Sequence, residues 1–234
     1  MRAMILAAGR GERMRPLTDT CPKPLLRAGG RALIEWQLLA LRRAGFVDVV
    51  INHAHLGTMI EQALGDGSHW GLRIRYSPER EALETAGGIA NALPLLGEEP
   101  FLVMAGDVYT AFDPARALTI APQMQAAGLA AWCVLVDNPP HHAQGDFALR
   151  DGRLDVDAAP RLTFSGIGVY RAALFDGVFA GPKAPLAPLL REAARRGLAG
   201  AEYFGGHWTD AGTPQRLAEL DAQLTQQAPQ HGGA

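Results

Sequence analysis

The chain has 234 residues, of which 48% are hydrophobic, enough to bury a sizeable core in one domain or in a main domain with a small appendage. Its 22 basic and 24 acidic side chains leave a net charge of -2, which excludes a general nucleic-acid binder and makes any positive site local. No apolar run approaches the roughly 18 residues of a spanning helix, so no membrane partner is expected.

Ala3 to Ala8 is apolar and reads as a buried strand. It runs straight into a loop of glycines, arginines and prolines that ends near Leu26. Ala32 to Ala44 follows as a helix, with Leu33, Trp36, Leu39 and Leu41 at near-helical spacing and Gly45 as its C-cap. Trp36 and Leu39 are expected in the core. Val47–Ile51 is a strand, Gly57–Leu64 a short helix, Leu72–Tyr76 a strand, Thr85–Leu96 a helix and Phe101–Ala105 a second buried strand. This alternation predicts an α/β fold, with a mostly parallel sheet covered on both faces. Such sheets bind ligands at the carboxyl ends of their strands, which puts Gly9 to Lys23, Asn52 and Gly106-Asp107 on one rim.

The second half reads differently. Ala115–Ala127 is helical and Leu129–Val136 a strand. Asp151-Gly152 marks a hairpin between Phe147 and Val156, and Arg161–Tyr170 is a long strand. Leu186–Arg196 and Gln215–Gln227 are helices, and residues 229–234 are expected to be a disordered tail. A soft boundary falls near residue 137, within one continuous domain over 1–228. Cys21 and Cys133 lie far apart without metal-ligand spacing, which predicts free thiols and a cytoplasmic protein.

The loop after the first strand carries the first chemical signal. Met14 replaces the third glycine of a dinucleotide fingerprint, Pro16 stands where its helix should open, and no Walker Gly-Lys-Ser/Thr follows. A dehydrogenase and a P-loop enzyme are therefore disfavoured. Gly9 and Gly11 instead bare backbone N–H groups for an anion, and Arg13 and Lys23 add full charges. Two unit charges ~4 Å apart interact by roughly 4 kcal/mol at an effective dielectric of 20, more than backbone dipoles supply. Pro22 and Pro24 hold Lys23 in extended backbone. The pattern predicts a polyphosphate site. Asp107 and Asp210 are each, taken alone, turn or cap residues, and together suit Mg²⁺. His53-x-His55 has metal spacing but no third ligand, so a structural role is expected.

The run Leu6-Ala7-Ala8-Gly9-x-Gly11-x-Arg13-x-x-Pro16-Leu17-Thr18, then Pro22-Lys23-Pro24-Leu25, resembles the opening signature of the sugar-phosphate nucleotidyltransferases. Gly106-Asp107 and Trp208-Thr209-Asp210-Ala211-Gly212-Thr213-Pro214 extend the resemblance over nearly the whole chain. It implies a Rossmann-like, GT-A-like three-layer fold with a mixed, mostly parallel central sheet. It also implies an in-line attack by a sugar 1-phosphate on the α-phosphorus of a nucleoside triphosphate, with pyrophosphate leaving. Residues 1–136 become the nucleotide-binding half and 137–228 the sugar-binding and carboxyl-terminal part. The catalytic set implied is Arg13, Lys23 and Asp107. The nucleotide set is Ala8, Gly9, Gly11, Glu12, Arg13, Lys23, Thr85 and Gly88. The sugar set is Asn52, Glu79, Asp146, Ser165 and Gly166. The Mg²⁺ ligands implied are Asp107 and Asp210.

A glycine pair at a helix start can be a plain packing site, but the resemblance implies that Glu84–Gly88 contacts the base, and a small slot lined by backbone favours UTP or dTTP over a purine nucleotide. Val50-Ile51-Asn52-His53-Ala54, Tyr76-Ser77-Pro78-Glu79 and Val136-Asp137-Asn138-Pro139 resemble the branch that joins UTP to N-acetylmuramate 1-phosphate in cell-wall recycling. Glucose 1-phosphate or a deoxysugar phosphate remains the alternative, and a noncatalytic nucleotide sensor the rival from another class. Arg150, Arg161 and Lys183 are the basic candidates for the lactyl carboxylate of muramate. Ala105 departs from the family, whose members often carry asparagine there. The expected state is a monomer or small homo-oligomer.

Overall fold

The computed structural model describes residues 1–227, so the tail expected from residue 229 lies outside the described residues. In chain order, β1 (Ala3–Leu6) leads through three single 3₁₀ turns to a small ribbon of β2 (Arg27–Ala28) and β3 (Arg31–Ala32). Then come α1 (Leu33–Arg43), β4 (Asp48–His53), α2 (Gly57–Leu64), β5 (Arg73–Pro78), α3 (Glu84–Leu96) and β6 (Phe101–Ala105). They are followed by β7 (Val108–Thr110), α4 (Arg116–Ala126), β8 (Ala131–Val136), β9 (Ala148–Arg150), β10 (Arg153–Asp155) and β11 (Thr163–Tyr170). The described residues end with α5 (Leu186–Arg195), β12 (Ala199–Tyr203), β13 (Trp208–Asp210) and α6 (Pro214–Gln227).

Nine strands form one sheet in the order β5-β4-β1-β6-β11-β8-β12-β10-β9. The first four are parallel, with Ile5 of β1 opposite Ile51 and Met104. β11 runs antiparallel between β6 and β8, and β12 returns parallel to β8. The sheet is therefore mixed, with its parallel block in the first half of the chain.

The strands are apolar on both faces because helices cover both. Ala3 and Ile5 face a cluster with Ile34 and Leu38 of α1, Ile60 of α2 and Ile120 of α4. Met4 and Val50 face the other side, with Ala86 and Ile89 of α3 and Leu186 and Leu190 of α5. A third cluster packs Leu217, Leu220 and Leu224 of α6 on Met14, Leu26 and Leu33. The last helix thus covers the first loop. Among the described residues no helix is long and apolar enough to cross a membrane. Cys21 and Cys133 are both free.

The sheet and its helices match the expected α/β fold, with particular differences. Leu38, 0% exposed, takes the core position, while Leu39 is half-buried. The inward stripe of α1 is Ile34, Gln37, Leu38 and Leu41, which interposes a polar residue that the hydrophobic pattern skips. Trp36 is half-buried, stacks edge-on against Tyr109 at 5.5 Å and donates from Nε1 to the Ala28 carbonyl at 3.0 Å. β12 was not expected, since Ala-Gly-Ala-Glu-Tyr has no β-branched residue. Its pairing with β8 supplies the context: a Cβ at Gly200 would lie 2.4 Å from the Trp132 ring, so glycine lets that ring pack on the strand. The β2–β3 and β7–β13 ribbons are also absent from the sequence reading, being short and stabilised from elsewhere.

Leu38→Ala is expected to cost about 2–5 kcal/mol of unfolding free energy, and Leu39→Ala less than about half as much. Urea denaturation of the two variants distinguishes them. Equal losses would place the inward face of α1 elsewhere.

Candidate active site

The loop leaves β1 at the carboxyl rim of the sheet. Gly11 has φ 68°, and a Cβ there would lie 2.9 Å from Thr18 Cγ2 and 3.3 Å from Lys23 Cβ. Both the backbone angle and the space demand glycine. Thr18 Oγ1 donates to the Gly11 carbonyl at 2.8 Å, which folds the loop back on itself. Pro22 is extended at φ -64°, but Lys23, expected to be extended as well, opens the 3₁₀ turn Lys23–Leu25, whose Lys23 carbonyl accepts from the Leu26 N–H at 3.1 Å; its side chain enters the interior, and the residue is only 8% exposed. Its Nζ donates to Oδ2 of Asp107. A lysine this buried would be costly without a carboxylate partner.

Asp107 is fixed by the end of β6. The Gly106 N–H donates to the Leu6 carbonyl at 2.8 Å, and a Cβ at Gly106 would sit 2.5 Å from that oxygen. The turn carrying Asp107 is thereby pressed against the end of β1. β7 then pairs antiparallel with β13, placing Asp210 opposite Val108, and the Ala211 N–H donates to the Asp107 carbonyl at 2.9 Å. Two acids distant in sequence become neighbours in register.

Asp210 lies between two basic side chains. Arg216 Nη2 is 3.1 Å from Oδ2, and His141 Nε2 is 3.2 Å from Oδ1. Neither contact has hydrogen-bond alignment, and Oδ1 is buried with no hydrogen bond made. A buried carboxylate oxygen with unused capacity, on a cavity that the Asp107 carboxylate also borders, belongs to a donor set suited to a hard cation such as Mg²⁺. Among the described residues no group of three or more His, Cys, Asp or Glu suits a metal ion. A two-carboxylate set leaves the remaining positions to water and phosphate oxygens, as Mg²⁺ prefers.

Three adjoining cavities open on this rim. The first, about 450 Å³, is lined by Ala8, Gly9, Gly11, Glu12, Arg13, Lys23, Thr85 and Asp107, among others. The second has Asp146 and Gly166 with apolar walls from Phe164, Tyr170 and Leu186. The third holds Arg13, Asp107 and Asp210 beside His141, His142, Asp146, Ser165 and Gly166. Ala105 borders all three. Gly166, at φ 78°, brings its backbone so close that a Cβ would lie 2.9 Å from Ala105 Cβ. Glu84 borders the first two cavities and holds φ 60°, a left-handed backbone unusual for a residue with a side chain.

The sugar candidates divide. Asp146, Ser165 and Gly166 stand together, whereas Asn52 lines the first cavity and Glu79 is buried beside it. Asn52 Oδ1 accepts from the Ala7 N–H at 3.0 Å, and its Nδ2 donates to Glu79 Oε1 at 2.7 Å. Glu79 Oε2 accepts from the Leu83 N–H at 2.8 Å. Burial pushes the Glu79 carboxyl pKa up, opposed by its hydrogen bonds from Asn52 and Leu83. Gly88 lies behind the cavity wall, where a Cβ would meet Asn52 Nδ2 at 2.7 Å and Glu79 Oε1 at 2.8 Å. Asn52, Glu79 and Gly88 are one packed unit beneath the start of α3.

On the other side, Asp146 Oδ2 accepts from the Phe164 N–H at 2.8 Å, and Oδ1 meets His142 Nε2 at 3.1 Å. Ser165 Oγ donates to the Val134 carbonyl at 2.7 Å, while its own carbonyl accepts from Trp208 Nε1 at 2.9 Å. Lys183 pairs with Glu81 at 2.7 Å, Arg150 lies 3.8 Å from Asp155, and Arg161 donates to the Val156 carbonyl at 2.9 Å. None of these three borders the cavities; the basic groups that border the third are Arg13, His141 and His142. His53 Nε2 meets Glu61 at 2.6 Å, and His55 meets the Thr18 carbonyl at 3.2 Å, so the two histidines serve separate contacts. Sequence reasoning missed Gln37 and Arg216. Gln37 left a signal, an amide on the apolar stripe of α1.

A mixed sheet with a cation-bearing glycine loop and paired acids on its rim defines a phosphate-handling enzyme fold. A sequence profile of the nucleotidyl transferase family matches residues 2–156, and the chain belongs to that family. It is 54% identical to the N-acetylmuramate alpha-1-phosphate uridylyltransferase of Neisseria meningitidis serogroup B, over 95% of this chain and 97% of that protein. It is 33% identical to the protein of the same name from Caulobacter vibrioides, over 96% of this chain and 97% of the other. A crystal structure from Bacillus anthracis, assigned as a glucose-1-phosphate thymidylyltransferase and solved with sucrose, shares the fold at TM-score 0.83. The identity is 21%, over 96% of this chain and 95% of that one.

Gly88→Ala is expected to break the Asn52–Glu79 hydrogen bond, cost about 1–3 kcal/mol in stability and weaken nucleotide binding. Denaturation and calorimetry with UTP measure the two effects. Undiminished stability would mean that the unit yields freely to a methyl group.

Proposed function

We propose that this chain transfers UMP from UTP to N-acetylmuramate 1-phosphate, giving UDP-N-acetylmuramate and pyrophosphate. Two relatives of that name, matched over nearly their full lengths, support the substrate pair. The observation that carries the chemistry is the meeting of Lys23 with Asp107 on the rim, with Asp210 paired into the neighbouring strand.

Nucleotidyl transfer depends on positioning and on neutralising charge. In this reading the glycine backbone and Arg13 hold the β- and γ-phosphates, so that pyrophosphate departs from a fixed place. Lys23 turns from Asp107 to the α-phosphate and stabilises the charge that grows there. Thr85 and the start of α3 form the wall for the base, with Asn52 and Glu79 bracing it from behind. Asp146, Ser165 and Gly166 shape the sugar side, and no covalent enzyme intermediate is needed. Asp107 and Asp210 would hold Mg²⁺, which supplies Lewis-acid polarisation of phosphate oxygens. Residues 1–136 serve the nucleotide and the following part serves the sugar. Two free thiols fit a reducing, cytoplasmic setting.

Pyrophosphate release is to be measured with UTP or dTTP and a panel of sugar 1-phosphates. N-acetylmuramate 1-phosphate with UTP is expected to give the highest kcat/KM. A clear preference for glucose 1-phosphate or N-acetylglucosamine 1-phosphate would overturn the sugar assignment. Lys23→Ala is expected to lower kcat by about 10²-fold or more, the scale of losing one electrostatic stabiliser. Turnover within about threefold of the parent would remove Lys23 from the chemical step. Asp107→Asn is expected to lose Mg²⁺-dependent turnover while keeping its fold by circular dichroism. An unchanged Mg²⁺ titration would exclude Asp107 as a ligand.

A further inference from the structure

We infer that Gln37 is a positioning residue for Asp107, setting where that carboxylate stands relative to Lys23; the inference rests on the reading of Asp107 as a metal ligand. Gln37 is 3% exposed on the inward stripe of α1. Its Nε2 donates to the Ala105 carbonyl at 2.6 Å and to the Val108 carbonyl at 2.9 Å. These carbonyls flank Gly106-Asp107, so one side-chain amide spans the turn that carries the acid. The chain leaves the main sheet at Ala105 and joins the β7–β13 ribbon at Val108. A change of partner there leaves backbone carbonyls that a ladder does not satisfy, and buried carbonyls need a donor.

Two further observations narrow the role. Gln37 Oε1 is buried without a hydrogen bond, so the side chain is kept for its two donor protons. Flipping the amide would set its oxygen against both carbonyls, which fixes its orientation. The same helix also touches the opposite side of the site. The Leu33 N–H donates to the Leu26 carbonyl at 2.9 Å, just after the Lys23 turn. α1 therefore ties both the segment bearing the cation and the turn bearing the acid. Mg²⁺ demands near-octahedral geometry, and a misplacement of about 1 Å at a reacting centre can cost about 10²-fold.

The test compares the parent with Gln37→Met, which keeps similar length and loses both donors, and with Gln37→His, which keeps a ring N–H. Gln37→Met is expected to lower kcat by about 10-fold or more, leave KM for UTP within about threefold, and raise half-saturating Mg²⁺ several-fold. Mn²⁺ affinity, read by electron paramagnetic resonance with UTP and no sugar phosphate, is expected to weaken by a similar factor. Gln37→His is expected to fall between the two proteins, and it serves alone should Gln37→Met not fold. A lower melting temperature with unchanged kcat, Mg²⁺ dependence and Mn²⁺ affinity would make Gln37 merely structural and overturn the inference. Parent enzyme that releases no pyrophosphate in any combination would sink the catalytic reading instead. The Mn²⁺ comparison still decides the role of Gln37 in that case.

Discussion

The antiparallel pairing of Asp210 with Val108 is the constraint on which the site depends. Asp107 lies in the turn after β6, in the middle of the chain, and Asp210 ends the strand before α6. Nothing local brings them together. The ribbon does so, with the Ala211 N–H bound to the Asp107 carbonyl. A few ribbon hydrogen bonds contribute only about 1 kcal/mol each. Burial of Leu217, Leu220 and Leu224 contributes roughly 1.5–3 kcal/mol apiece, so packing of α6 is what holds the ribbon in place. Because α6 packs on Met14 and Leu26, the same burial also seats the loop that carries Arg13 and Lys23. One apolar contact thus aligns the acidic and the cationic sides.

The charges in this rim are arranged so that neither partner is buried alone. Lys23 is paired with Asp107, and Arg216 stands beside Asp210. Removing one member of a buried pair is far more damaging than the net gain from forming it, because the survivor loses its counter-charge. In the proposed reaction a triphosphate offers Lys23 a new partner, while Mg²⁺ would offer one to Asp107. The exchange keeps both charges compensated, so little of the binding free energy is lost to desolvating a bare ion.

How much could be read from the chain depended on whether the cause was local. β6 and α2 run over the residues expected of them, since a glycine or an apolar boundary marks each end. The glycine loop was legible because its spacing, prolines and charges lie in one stretch. β7, β12 and β13 were not, because they are strands only by virtue of what they pair with. The sugar set shows a subtler limit. A residue at a strand's end is known to lie on the rim, but the side of the rim follows from strand order. In the order β4-β1-β6-β11, Asn52 falls on the β4 side with the nucleotide loop, and Gly166 falls beyond β6 with Asp146. The connection between elements, rather than any residue type, sets that order. The three basic residues weighed for the lactyl group border none of these cavities: Arg150 and Arg161 contact near neighbours in sequence, and only Lys183 meets a distant partner, Glu81.

Ala105 is the residue at which the three cavities meet. It ends β6, borders all three spaces and meets Gly166 across a gap with no room for a Cβ. A side chain at Gly166 would run into Ala105 and thicken the wall between the proposed nucleotide and sugar sides. In-line attack requires the sugar phosphate oxygen to reach the α-phosphorus from the side opposite the departing pyrophosphate, with no side chain between them. Small residues at this junction satisfy that requirement sterically. The adjacent Gly106 permits the close backbone approach that sets Asp107 at the same place. The local sequence Ala105-Gly106-Asp107 therefore combines an open wall, a tight turn and a metal-suited acid, and Gln37 binds the carbonyls on either side of the Gly106-Asp107 turn.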